Sequence, residues 1–132
     1  MKVTRFDSTS DIIIVGARIW GPLGEKKISL AFDTAASHTH VIPDILDDLG
    51  YSPRQGGDVT IVRSAIGAEQ GYMLPVSRFS ALGFTCNDFL IHVHDLPEGF
   101  GIDGLLAFRF LRQFNYEIRS GEGRILVDRL AS

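Results

Sequence analysis

The chain predicts an all-β domain, mostly β with one or two short helices, on three observations. Runs rich in β-branched and apolar residues recur along it. Turn segments bearing Gly, Pro, Asn and Asp separate those runs at short intervals. Helical spacing is confined to two short stretches, Pro43 to Leu49 and Leu105 to Phe114. At 132 residues, 1–132 makes a single domain long enough to bury a core without crosslinks.

Composition narrows the function classes. Apolar residues make up 45% and charged residues 22%, which suits a soluble globular domain. A formal net charge of −3 and the lack of any basic run give no reason to expect nucleic acid. Cys86 is the one cysteine, so no intrachain disulfide can form. That fits a reducing compartment, and the cytoplasm is favoured, though nothing else fixes localisation. Ile12 to Val15 is too short for a signal core or a membrane segment.

Taken in order, Asp11 to Trp20 reads as a strand and Gly21-Pro22-Leu23-Gly24 as a turn. Lys26 to Phe32 returns as a strand. Its last residues, Leu30 to Phe32, form a continuous apolar run expected to be buried on both faces. That run delivers the carboxylate of Asp33, which is costly there without donors or a partner. His38 to Ile42 reads as a short strand. Pro43 opens a helix that places Ile45, Leu46 and Leu49 on one face, and Gly50 stops it. Tyr51 to Asp58 is a loop. Val59 to Ser64 and Tyr72 to Phe79 are strands around the Gly-punctuated Ala65 to Gly71. Phe79 to His94 reads as two strands with a turn near Cys86-Asn87-Asp88. After a second loop comes the stretch Leu105 to Phe114, in which Leu106, Phe110 and Phe114 fall four apart. Tyr116 to Ile118 and Arg124 to Val127 flank Ser120-Gly121-Glu122-Gly123 as a terminal hairpin, while Met1 to Ser10 reads as a polar end.

Two motifs carry a resemblance. Asp33-Thr34-Ala35-Ala36-Ser37 resembles the Asp-Thr-Gly-Ala-Ser signature of aspartic proteases. Gly101-Ile102-Asp103-Gly104-Leu105-Leu106-Ala107-Phe108-Arg109-Phe110-Leu111 is similar to the apolar-apolar-Gly segment before the C-terminal helix of retropepsins. These are the single-domain proteases of retroviruses and their cellular and bacterial relatives. The motifs lie about seventy residues apart, as in one such subunit, and the likeness covers nearly the whole chain. It implies a closed acid-protease barrel, one retropepsin-type subunit. Ala35 and Ala107 depart from it, each standing where the family usually has Gly. Alanine adds a methyl and restricts φ/ψ at points of close backbone approach.

The implied activity is that of an aspartic endopeptidase. Such hydrolysis needs two carboxylates that share a proton, one as base and one as acid. One motif supplies half of that pair, so the resemblance implies a homodimer with the catalytic Asp33 of each copy meeting on a two-fold axis. It also implies support from Thr34, reaching across that axis, and from Ala35 and Ser37. A polypeptide substrate would lie under a mobile flap, touching Ser64, Ala65, Ile66 and Gly67, with Leu105 and Leu106 lining apolar pockets. Other readings stay open. Asp33 can be a turn or cap residue, Thr34 can cap its own backbone, and Ala65 to Gly71 can be an ordinary hairpin. The domain can also be a catalytically inactive dimerisation or peptide-binding module. Turn chemistry accounts for Asp103, with a pocket role as the alternative. Arg109 fits either a subunit contact or a surface ion pair.

His38/His40 and His92/His94 are two His-x-His pairs, and residues two apart on a strand share a face. No Cys, Glu or third His lies beside either pair at metal-ligand spacing, so no metal is expected. His38, just past the motif, can instead tune pH dependence. No strand–Gly-rich–helix pattern cradles a phosphate, and no cofactor is expected.

Overall fold

The computed structural model describes residues 1–52, 59–64, 67–96 and 101–130, with the backbone alone for 59–64 and 67–70. Ten strands and two short helices make up the described chain. They are β1 (Lys2–Arg5), β2 (Ile14–Gly21), β3 (Gly24–Asp33), β4 (His40–Val41), α1 (Pro43–Asp48), β5 (Val59–Ser64), β6 (Gly67–Ala81), β7 (Phe84–Val93), β8 (Gly104–Ala107), α2 (Phe108–Leu111), β9 (Phe114–Arg119) and β10 (Arg124–Arg129). One sheet runs β2-β3-β8-β4-β7-β6-β5, and β2 also pairs with β6. That extra ladder closes six strands into a barrel and leaves β5 outside as a hairpin with β6. Closure removes the edges that an open sheet would expose. The expected closed barrel is therefore what the chain forms.

A three-stranded sheet, β1-β10-β9, packs on the barrel. Ile125 and Val127 of β10 join Ile19, Leu30, Phe79 and Phe110 in the main core, all essentially without solvent contact. Phe110 meets the Phe79 ring edge-on at 5.4 Å, and Phe114 packs on both Phe110 and Phe84, so aromatic rings seam the two sheets. Helix α1 buries Ile45 and Leu46, with Leu49 just after it, as its spacing predicts.

Two local expectations are corrected, and both terminal segments take defined places. The β6–β7 turn is Leu82-Gly83, with φ of 55° and 84°, and β7 continues through Cys86-Asn87-Asp88 with a kink at Asp88. Leu105 to Ala107 is strand, and the helix is the single turn Phe108–Leu111. All four β8 residues are buried, the mark of a strand covered on both faces. The polar N-terminus is not without structure, since Lys2–Arg5 pairs antiparallel with β10. Finally, β10 is a central strand with β9 on its other edge, so neither edge is left for a neighbouring chain.

Candidate active site

Asp33 closes β3, where the strand stops pairing and the chain turns. β3 lies parallel to β8, with Ala31 opposite Leu105 and Asp33 opposite Ala107. Alternation along β3 puts Ala31 and Asp33 on one face and Phe32 on the other. The first face carries its own buried cluster of Ala31, Ala36, Leu105 and Ala107, separate from the main core. Asp33 is half-buried, and its Oδ1 accepts the Ala35 N–H at 2.9 Å. Its carboxylate thus bonds within its own loop, with Thr34 and Ala35 exposed around it.

The next residues tie this loop to α2. Phe108 N–H donates to Ala36 O at 2.9 Å, and Arg109 N–H donates to Ser37 O at 3.0 Å. Ala107 N–H reaches Thr39 Oγ1 at 3.3 Å in a buried setting. Thr39 is a support residue that the sequence did not single out; its place after Ser37-His38 is the one available clue. Ser37 Oγ sits 3.3 Å from His38 Nδ1. Burial, and then the charge of Arg109, hold the His38 imidazole below its usual value.

Neither alanine departure forces the backbone. Ala107 is extended, at φ −106° and ψ 174°. Among the described residues only Leu82 and Asp88 combine a side chain with positive φ, so Ala35 does not occupy the glycine region either. The glycine that geometry demands is Gly104. A Cβ there would fall 1.8 Å from His40 O. Asp103, just before it, accepts the Ser29 N–H on Oδ2 at 2.8 Å, and its own N–H and C=O bond to Ser29 O and Ile42 N–H. The acid clamps β3 to the approach of β8, which is the structural reading of it.

The remaining candidates divide. Leu105 lies on the Asp33 face, 8% exposed, whereas Leu106 is fully buried in the main core on the opposite face. Ser64 pairs with Gly67 at the end of the β5–β6 hairpin. Ala65 and Ile66 lie outside the described residues. Arg109 and Arg112 share a groove of about 290 Å³ with His38 and Asp88.

The expectation that no third histidine stands beside either pair is overturned. β4 pairs parallel with β7, His40 opposite His92, and His94 follows directly after β7. The three buried imidazoles offer ligand atoms within 4.8 Å of one another. His38 stays outside this group. The triad was hidden because its members come from two distant segments joined by one two-residue ladder.

The single chain therefore presents one half-buried carboxylate at a strand end, in a loop held from below by α2 and Thr39. No curated protein sequence matches the chain. A crystal structure of a retropepsin-like aspartic protease from Rickettsia conorii is similar to it at 16% identity, with a TM-score of 0.63 over 95% of this chain and 87% of that one. That likeness shows a retropepsin-like fold. Among the described residues no helix is long and apolar enough to cross a membrane. A family profile described as aspartyl protease matches residues 15–110, which take in both the Asp33 motif and β8. The chain belongs to the aspartyl protease family.

Proposed function

We propose that the protein is an aspartic endopeptidase whose catalytic pair forms when Asp33 of two copies meets across a two-fold axis. The observation that supports this most is the setting of Asp33: a half-buried carboxylate at a strand end, on a buried apolar face, in the region matched by the family profile. Two such groups in contact share one proton, because both cannot ionise at that separation. The ionised Asp33 takes a proton from water as its oxygen attacks the scissile carbonyl carbon. The protonated Asp33 of the second copy gives its proton to the carbonyl oxygen. Collapse of the tetrahedral diol breaks the C–N bond as the amide nitrogen picks up a proton from the pair.

The substrate is an extended polypeptide, held as an added strand between the Asp33 loops and the β5–β6 hairpin, which acts as a flap. Leu105 faces the substrate with Ala31 behind it, and Leu106 supports it from the core side. Thr34 and Ser37 hold the loop. With both edges of β10 taken, the subunits meet through the Asp33 loops, α2 and the hairpins, not through an exchanged β10 strand. The competing reading is a peptide-binding or dimerisation module without turnover, motivated by Ala35 and Ala107.

A peptide library incubated with the protein from pH 3 to 7, beside Asp33→Asn, tests the proposal. Cleavage by the native chain and loss in the variant, by about 10²–10⁴-fold or more, is the expected result. Cleavage that persists in Asp33→Asn removes the mechanism. Stable dimers that bind peptides and never cleave them favour the module.

A further inference from the structure

His40, His92 and His94 form a cluster that the peptidase reading does not use. Strand order places them on the Asp33 face of the sheet. Ala31 pairs with Leu105, Leu105 with His40, and His40 with His92, so these side chains form one row across β3, β8, β4 and β7. The ring centroids lie 5.0 Å apart for His40–His92, 4.4 Å for His40–His94 and 4.9 Å for His92–His94. His40 and His92 have no solvent contact, and His94 is 6% exposed.

The hydrogen bonds define the lone pairs. His94 Nδ1 lies 2.6 Å from Asp95 O, and a carbonyl oxygen only accepts, so Nδ1 carries the proton. The lone pair of neutral His94 is then on Nε2, which meets His40 Nδ1 at 2.6 Å. His40 Nδ1 is the donor in that contact, leaving its own lone pair on Nε2. That atom and both ring nitrogens of His92 are buried and have no hydrogen-bond partner. Buried polar atoms without partners are uncommon because they lose water and gain nothing. Room for the rings depends on Gly71, where a Cβ would fall 2.6 Å from His92 Nε2.

We propose that His40, His92 and His94 bind a divalent transition cation of the Zn²⁺ type through one nitrogen each, next to the peptide cleft. Three imidazoles on one tetrahedral ion at about 2.0–2.1 Å per bond have centroids about 5 Å apart, close to the spacing already present. Metallation replaces the His94–His40 hydrogen bond and requires ring rotations, with no strand displaced. The Asp95 carbonyl on His94 Nδ1 is the outer partner that metal-bound histidines normally have, and it directs Nε2 inward. All-nitrogen donors select Zn²⁺ or Co²⁺ over Mg²⁺ and Ca²⁺, which require oxygen. Three protein ligands leave a fourth position for water or an anionic group.

The test uses the full chain, stripped of metal and titrated with Co²⁺ and then Zn²⁺. Expected are one ion per chain, tetrahedral visible absorption from Co²⁺, its displacement by Zn²⁺, and X-ray absorption showing three imidazoles per ion. His92→Ala weakens binding by more than about 100-fold, beyond what loss of an outer partner alone costs. His38→Ala and Asp33→Asn leave binding unchanged. Should His92→Ala not fold, the X-ray absorption spectrum of the native chain decides. No stoichiometric uptake, fewer than three imidazoles on the ion, or loss of binding in His38→Ala overturns the proposal.

Discussion

Two regions of the same sheet face differ in how much of a site one chain builds. At the β3 end, Asp33 is half-buried and bonded only within its own loop, with exposed neighbours in Thr34 and Ala35. Two strands away, His40, His92 and His94 are sealed from solvent and assembled by one chain. The first region is local in sequence and open in space; the second is scattered in sequence and closed in space. An open carboxylate can be met from outside the chain. A closed cluster must be satisfied within it, so its chemistry becomes part of folding.

That contrast sets the first and largest expected effect, which is on pH. Burial, followed by the neighbouring histidines, lowers the imidazole of His40 to about 3 and that of His92 to about 4. In the unfolded chain both bind protons near pH 6.5 (about 6.5 for a free imidazole). The unfolded state therefore takes up protons first as pH falls. Stability is complete above pH 6.5 and is lost progressively down to the folded-state values. Each unit is worth ~1.4 kcal/mol, so urea unfolding at pH 7 and pH 4 is expected to differ by several kcal/mol. His40→Leu with His92→Leu flattens that dependence. A native profile already flat from pH 7 to 4 shows that the cluster is not held neutral.

Gly104→Ala strikes where the two regions join. Its methyl would overlap His40 O, and β8 and β4 must separate. A loss of about 3 kcal/mol or more in unfolding free energy is expected. A change below about 1 kcal/mol means the strands yield easily.

Asp103→Ala removes the acceptor for Ser29 N–H without filling space, and about 1–3 kcal/mol is expected from the orphaned donor. On the proposed peptidase function, kinetic constants measured well below the melting point stay near native. A selective rise in KM with unchanged stability would move Asp103 into the substrate site.

Ala35→Gly with Ala107→Gly is the mildest change. Neither position needs positive φ, so each glycine mainly adds freedom to the unfolded chain, costing about 0.5–1 kcal/mol. On the proposed peptidase function, turnover per folded chain is expected to stay within about twofold, which is ~0.4 kcal/mol in the barrier. A large gain would show that the two methyl groups limit the native protein.

The sequence revealed what is contiguous and concealed what is assembled. Ile28 to Asp33 reads as a buried strand ending in a carboxylate because the signal lies in adjacent residues. The β6–β7 turn was misplaced for a chemical reason. Its first central residue is Leu82 at φ 55°, a position where Asn or Gly is the usual signal, whereas Asn87-Asp88 carries turn chemistry inside a strand. Asp88 does adopt φ 50°, as a local kink with Ser77 opposite left out of the ladder. Leu106, Phe110 and Phe114 have helical spacing, yet tertiary pairing of Gly104–Ala107 with β3 and β4 takes precedence over it. The histidine triad exists only once His40 and His92 are paired, and no spacing within either segment encodes that.

The ladder between β1 and β10 bears on how the chain acquires its fold. Lys2 pairs with Val127, about 125 positions away, and the first amino group lies 3.2 Å from Asp128. Contacts this remote close the longest loop among the described strand pairings, the costliest of them in entropy. During synthesis, Lys2–Arg5 waits without a partner while the barrel strands are made. Its place beside β10 can be taken only after Arg124–Arg129 has left the ribosome. The terminal sheet thus forms only after Arg124–Arg129 has been made, and Ile125 and Val127 of that strand belong to the main core.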